Sequence, residues 1–384
     1  MSDTIFSVTE KHLETGLRGY PVGYCTTSFV DPKKGLFYID EPISELVNLE
    51  PLEVVHMLYS GNHASKEDLE LFKADIQKRA HLEDETLKTI ATLPKNGHPM
   101  KIFVCALITC GMLEGTGDYK EDCLNLIAKA PLIVAASISH HAGWELTASD
   151  PSKGYIENFT DMLNVPNASK EDLLRVFKIF NKLHYDHGGG NLSAFVGKSV
   201  ASGLEDLYGS IAASMCALEG PRHGKANQDC LEFTQSMLEQ LGENATVEDV
   251  ASLLRQKLAR KELVYGFGHA VLRVEDPRAS IFYETAKKHY GNNPLIKMAL
   301  LLREAGPKVL KENPKISNPY PNVDAISGAL LSAAGFNYPE YYTVLFGMSR
   351  VVGISIQILY ERSIARGGKG VPIYRPKYFF KGKV

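Results

Sequence analysis

The chain has little that would mark a nucleic-acid-binding, membrane-spanning or exported protein. Its formal net charge is −3 and no long basic run occurs, which argues against nucleic acid as the main partner. An anionic ligand would have to be met by local arginines. The longest apolar stretches, near 102–113 and 131–138, are too short or too interrupted to cross a bilayer, so no membrane is expected. Met1-Ser2-Asp3-Thr4 carries no charged-then-apolar signal, and Asp3, Glu10 and Glu14 count against a transit peptide. The six cysteines form no CxxC pair. Cys105 and Cys110 fall in an apolar run and read as buried thiols. A reducing, cytoplasmic location is the expectation. Period-two runs are few, and no repeat or low-complexity tract is visible.

What is present is a helical pattern. With 384 residues, 44% of them apolar and 23% charged, the chain can bury a large core in one or two domains. Three capping signals announce helix starts: Ser65-x-x-Asp68, Ser169-x-x-Asp172 and Thr246-x-x-Asp249. The segment 66–80 puts Leu69, Phe72 and Ile76 on one face. The segment 170–184 does the same with Leu173, Leu174, Phe177, Phe180 and Leu183. The stretch 340–363 is apolar enough to be central. Only 17–40 looks like turns and short strands. Breaks at Gly220-Pro221 and near 324–335 suggest a smaller domain inserted between them, with a cleft that closes on a substrate.

Three short segments carry the chemistry. They are Gly220-Pro221-Arg222-His223-Gly224, Gly266-Phe267-Gly268-His269 running on to Asp276-Pro277-Arg278, and Asn318-Pro319-Tyr320-Pro321-Asn322-Val323-Asp324. Each sets one titratable group beside Gly or Pro, where helices break. Two histidines and a carboxylate at rigid bends suggest acid–base work on a carbon acid.

His223, near the start of a helix, would be kept neutral by the helix's positive end and could donate a hydrogen bond to an enolate oxygen. The bland alternative is a histidine that caps or packs. His269 lies between glycines that let a ligand approach the backbone closely, with Arg273 and Arg278 nearby to bind carboxylate or phosphate. The alternative is a charged surface loop. Asp324 would be an N-cap, a base of raised proton affinity, or both. His184-Tyr185-Asp186-His187 crowds possible ligands, but it lacks HExxH spacing and a third donor, so no metal is expected. Arg350 sits in a very apolar helix and needs an anionic partner, protein or substrate.

These segments resemble the citrate synthase family. The likeness is continuous from about His184 to Asp324, then through Tyr341-Tyr342-Thr343-Val344-Leu345-Phe346-Gly347 to Arg375-Pro376-Lys377. It is weaker at Gly16-Leu17-Arg18-Gly19 and His98-Pro99-Met100. The resemblance implies an all-α fold, with a large domain at 1–224 and 336–384 and a small domain at 225–335 that closes over the cleft. It implies condensation of acetyl-CoA with oxaloacetate, then hydrolysis of the citryl-CoA thioester, with acetyl-CoA a substrate and no cofactor.

By the same likeness Asp324 removes a methyl proton, His223 stabilises the enolate, and His269 protonates the oxaloacetate carbonyl. His187, Arg278 and Arg350 would bind oxaloacetate, with Asn191 shaping the backbone beside them. Arg375 would reach the neighbouring site of a homodimer. Arg18 and Arg273 would meet CoA phosphates. The sequence departs from the family pattern at Gly188, where Glu is common, and at Arg222, where Leu is common. A 2-methylcitrate synthase using propionyl-CoA would carry the same residues, since one methylene is worth only about 1–3 kcal/mol. A non-catalytic CoA- or carboxylate-binding homologue would be expected to have lost one of the three reacting groups.

Overall fold

The computed structural model describes residues 5–382. The N-terminal reading of Met1-Ser2-Asp3-Thr4 therefore lies outside the described residues.

Among the described residues, sixteen α-helices follow one another from Ile43 to Leu359. Three short antiparallel strands precede them, Ser28–Asp31, Gly35–Tyr38 and Glu41–Pro42, in sequential order. The all-α expectation holds, and the segment 17–40 contains the two longer strands. The capping signals mark real helix starts. Ser65, Ser169 and Thr246 accept the N–H of Asp68, Asp172 and Asp249 at 3.1, 3.3 and 3.3 Å, satisfying donors that a first turn leaves free. The helix Lys170–His184 buries Leu173, Phe177, Phe180 and Leu183 of its expected apolar face, with Leu174 only partly buried at its edge.

The run Pro339–Ile364 matches the central stretch expected at 340–363, whereas the helix Tyr119–Ala142 is longer than the apolar stretch at 131–138. Tyr119–Ala142 and the run Pro339–Ile364 are long and apolar enough to cross a membrane by length and composition. Polar residues at its ends extend Tyr119–Ala142 beyond its apolar stretch. In the fold, 89% and 94% of the apolar windows are buried, so both helices already have protein around them. Cys110 is buried as expected, but Cys105 is exposed. Both lie on the helix Pro99–Glu114, and five residues at about 100° each turn one away from the other.

The apolar interior forms two clusters. The larger runs through most of the chain and includes Phe282, Ile326 and Leu330. The smaller holds Met237, Val250, Leu254, Met298, Leu302 and Val309, from the helices Ala226–Leu241, Val247–Ala259 and Pro294–Leu310.

Candidate active site

The loop bearing His269 is laced to the segment that leads into Asp324. Phe267 pairs with Pro321 as an antiparallel bridge. Gly268 N–H donates to the Tyr320 carbonyl at 3.0 Å, and Asn322 N–H to the Gly266 carbonyl at 2.9 Å. Gly266 and Gly268 have φ of 83° and 85°, a region that favours glycine. A Cβ on Gly266 would lie 2.9 Å from the Ala325 Cα, so close approach as well as conformation requires glycine there.

His269 Nδ1 accepts the N–H groups of Val271 and Leu272, each at 3.0 Å. In the neutral ring the proton must therefore sit on Nε2. Burial, and then the Arg278 charge, hold this imidazole below its usual proton affinity. The His187 ring lies 5.3 Å from it, centroid to centroid. Burial pushes His187 well down, and Arg278 and Arg350 add to the effect. Its Nε2 is buried with no hydrogen-bond partner among the described residues. Buried polar atoms are rarely left without a partner.

His223 lies in the turn between Leu207–Leu218 and Ala226–Leu241. Its Nε2 accepts the Ser193 N–H at 3.2 Å and lies 3.0 Å from Ser193 Oγ, whose hydroxyl donates to Asn191 Oδ1 at 2.9 Å. That leaves Nδ1 to carry the proton. The ring is lowered to about 4, first by burial and then by Arg350. The following helix starts at Ala226 with Lys225 as its cap, so His223 lies three residues before it. Ser193 had no signal in the sequence; it lies 30 positions from its partner.

Asp324 is the first residue of the helix Asp324–Ala333, with Val323 as its cap, so it is not the N-cap. Its N–H donates to Asn322 Oδ1 at 3.0 Å. No hydrogen bond among the described residues reaches its carboxylate oxygens. Burial raises this carboxyl to about 6, opposed by Arg278 and aided by Asp276. It is ionised at neutral pH, yet more basic than an ordinary aspartate.

Two buried arginines stand behind these groups. Arg278 is bound by Asp276, Nε to Oδ1 at 3.1 Å and Nη2 to Oδ2 at 2.7 Å. Asp276 caps the helix Pro277–Tyr290, and its part in holding Arg278 could not be seen from sequence. Arg350 donates from Nε to the His184 carbonyl at 3.1 Å, and its guanidinium lies 4.7 Å from the Phe346 ring centroid. The same Phe346 ring lies 6.5 Å from that of His223. Among the described residues no carboxylate comes within ion-pair distance of Arg350, and burial lowers its proton affinity to about 10.

The loop from His187 is shaped from both sides. Asn191 caps the helix Leu192–Ala201, accepting the Ala194 N–H at 3.1 Å and donating to the Gly188 carbonyl at 2.7 Å. Asp186, fully buried, accepts from Thr27, from Ser28 at 2.8 Å and from Gln357 at 2.8 Å.

His187, His223, His269, Asp324, Arg278 and Arg350 thus converge. Arg273 is exposed and folds back on the same loop, its Nη1 donating to the carbonyls of Val271 and Leu272 at 2.9 and 2.7 Å. Beside that loop is a cavity of about 390 Å³, lined in part by Val264, Phe267, His269 and Lys315. Arg18 and Arg375 are exposed and are not gathered in. Tyr374, next to Arg375, donates its N–H to Ser202 at 2.9 Å, just past the helix whose other end bears Ser193. Nine helical residues separate those ends by about 13 Å.

Two buried arginines beside neutral imidazoles and a carboxylate of raised proton affinity form a constellation suited to acid–base chemistry on a small anion. Comparison with known proteins gives the family. Residues 16–377 match the family model described as citrate synthase, C-terminal domain. Mitochondrial citrate synthase of Daucus carota and citrate synthase 4, mitochondrial, of Arabidopsis thaliana are each 35% identical, over 94% of this chain and 80% of theirs. The structure of citrate synthase from Thermotoga maritima superposes with a TM-score of 0.80 at 27% identity, covering 96% of each chain. That of Thermoplasma acidophilum, solved with carboxymethyl-CoA and oxaloacetate, has a TM-score of 0.79 at 23% identity over 96% and 98% of the chains, and shares the fold. The chain belongs to the citrate synthase family. The plant relatives are named as mitochondrial, which does not support the cytoplasmic expectation.

Proposed function

We propose that this protein condenses acetyl-CoA with oxaloacetate and hydrolyses the resulting thioester to citrate and CoA. The observation that carries the reading is the fixed polarity of its three reacting groups. Each imidazole has one nitrogen occupied by a backbone N–H, so each neutral ring has one nitrogen left to donate. Asp324 is left free to accept.

In this reading Asp324 takes a proton from the acetyl methyl group while His223 Nδ1–H bonds the thioester oxygen that becomes the enolate. The enolate carbon forms a bond to the oxaloacetate ketone carbon, and the ketone oxygen takes a proton from His269 Nε2. Water then cleaves the thioester. Neutral donors suit the task, since a developing oxyanion gains more from an oriented hydrogen bond in a dry site than from one in water. His187, Arg278 and Arg350 meet the oxaloacetate carboxylates and ketone. The unfilled Nε2 of His187 and the unpaired charge of Arg350 support this. CoA runs over the His269 loop, where the cavity with Lys315 and the exposed Arg273 offer cationic and apolar contacts; Arg18 is a further phosphate ligand. No resident cofactor or metal is proposed.

Residues 225–335 act as a small domain that closes over oxaloacetate; the cluster around Leu254 and Leu302 lies wholly within this segment, while Phe282, Ile326 and Leu330 of the same segment belong to the larger core. A homodimer is supported by the apolar groups left exposed on Pro99–Glu114, with Met112 81% and Ile108 39% accessible, a pattern that marks contact surfaces. In such a dimer the exposed tail carrying Arg375 reaches the partner's site. Six free thiols support a reducing compartment, of which cytoplasm is the proposed one.

Initial rates with oxaloacetate and either acetyl-CoA or propionyl-CoA, followed by loss of thioester absorbance, test the reading. A higher kcat/KM with acetyl-CoA is expected. A preference for propionyl-CoA would make the protein a 2-methylcitrate synthase, and no turnover with either would leave a binding homologue.

A further inference from the structure

Besides the backbone bridge at Phe267 and Pro321 and the bond from Asn318 Nδ2 to the Leu272 carbonyl at 2.8 Å, the side chain nearest the reacting groups also joins the loops of the proposed acid and the proposed base. Asn322 Nδ2 donates to the Gly268 carbonyl at 3.0 Å, one residue before His269. Its Oδ1 accepts the Asp324 N–H at 3.0 Å. Its own N–H is spent on the Gly266 carbonyl at 2.9 Å. Asn322 is only partly exposed, and its neighbour Pro321 is paired with Phe267. A carboxamide donates and accepts from one rigid plane. Aspartate would keep the acceptor and set an oxygen against the Gly268 carbonyl; alanine would lose both bonds.

We propose that Asn322 is a positioning residue that fixes Asp324 relative to His269, so that proton removal from one substrate and proton delivery to the other occur at a set separation. The inference rests on the roles given above to those two residues. It assigns Asn322 no contact with either substrate. The enolate made at Asp324 is useful only if the ketone polarised by His269 is within bonding reach. Displacements of about 1 Å in such an arrangement cost on the order of 10²-fold in rate.

The test is steady-state kinetics of Asn322→Ala and Asn322→Asp beside the unsubstituted protein, with melting temperatures. In both variants kcat should fall about 10- to 100-fold while KM for oxaloacetate stays within about twofold. The isotope effect on kcat with methyl-deuterated acetyl-CoA should rise, because proton removal is slowed. Asn322→Asp, nearly isosteric, keeps the test alive if the alanine variant fails to fold, and it should be the slower of the two. The proposal is overturned if kcat stays within about twofold in the variants. It is also overturned if the fall in kcat is matched by an equal loss of oxaloacetate affinity with no change in isotope effect, as a collapsed loop would give. An inactive parent overturns the proposed function and this inference together; an active parent with unaffected variants overturns this inference alone.

Discussion

Asp276 grips Arg278 through two hydrogen bonds of 3.1 and 2.7 Å, whereas Arg350, equally buried, has only the His184 carbonyl and the face of Phe346. One arginine is charge-compensated within the protein, and the other has no carboxylate partner among the described residues.

This difference predicts opposite effects of removing each charge. Arg350→Leu should leave the ligand-free protein as stable as before or more stable, because a buried cation without a carboxylate is costly. The same variant should lose oxaloacetate affinity by 10²-fold or more, on the order of 3 kcal/mol or above for a buried charged contact. Arg278→Leu should instead destabilise the ligand-free protein by about 3–5 kcal/mol by stranding Asp276. Thermal melts with and without oxaloacetate check both. A ligand-induced rise in Tm that survives in Arg350→Leu would count against the assignment.

Asp324 predicts the acid limb of the rate profile. Its carboxyl is raised to about 6 by burial, so the ionised base is lost as pH falls through that value. kcat should drop tenfold per pH unit below about 6. A profile flat down to pH 4.5 would show that another group limits the rate.

The same shift has a consequence for stability. A folded value of about 6 against an ordinary 3.8 means the folded protein binds more protons than the unfolded chain between those values. Stability should therefore fall as pH rises through this window, and the penalty is fully present above about 6. Asn at this position carries no such penalty. Asp324→Asn should gain about 1–3 kcal/mol at pH 7 while losing turnover by at least about 10³-fold and keeping oxaloacetate binding. Denaturant melts and calorimetry separate the three quantities.

Gly266 couples backbone to chemistry. At φ 83°, with Ala325 Cα 2.9 Å from the place a Cβ would take, Gly266→Ala should push the His269 loop off the Asp324 helix. A fall in kcat exceeding any change in melting behaviour is expected. Gly242 has φ 74° with no atom within 4 Å of an added Cβ, so Gly242→Ala should cost stability alone, on the order of 1 kcal/mol.

Much of this was legible in the sequence where a local signal existed. The caps at Ser65, Ser169 and Thr246 lie three residues from their partners, and the helix Lys170–His184 follows a single apolar face. His223, His269 and Asp324 stand out because Gly or Pro interrupts the helical pattern beside each of them. What could not be read depends on contacts distant in the chain. Ser193 sets the tautomer of His223 from 30 positions away, and Asn322 reaches Gly268 across 54. The buried pair of Lys198 and Glu361 at 2.9 Å has no periodicity to announce it. The burial that lowers His223 depends on helices packed around its turn, which local sequence does not display. Cys105 was misplaced because an apolar run does not tell which side of a helix meets the core.

The most direct test of the account follows the fate of the acetyl methyl protons. Incubation with oxaloacetate and fully methyl-deuterated acetyl-CoA, with mass analysis of the product, should give citrate that keeps two deuterons and has lost one. Asp324→Asn should give none above background. Citrate formed at the parent rate by that variant, or no citrate from the unsubstituted protein, would contradict the assignment of Asp324 as the base that begins the reaction.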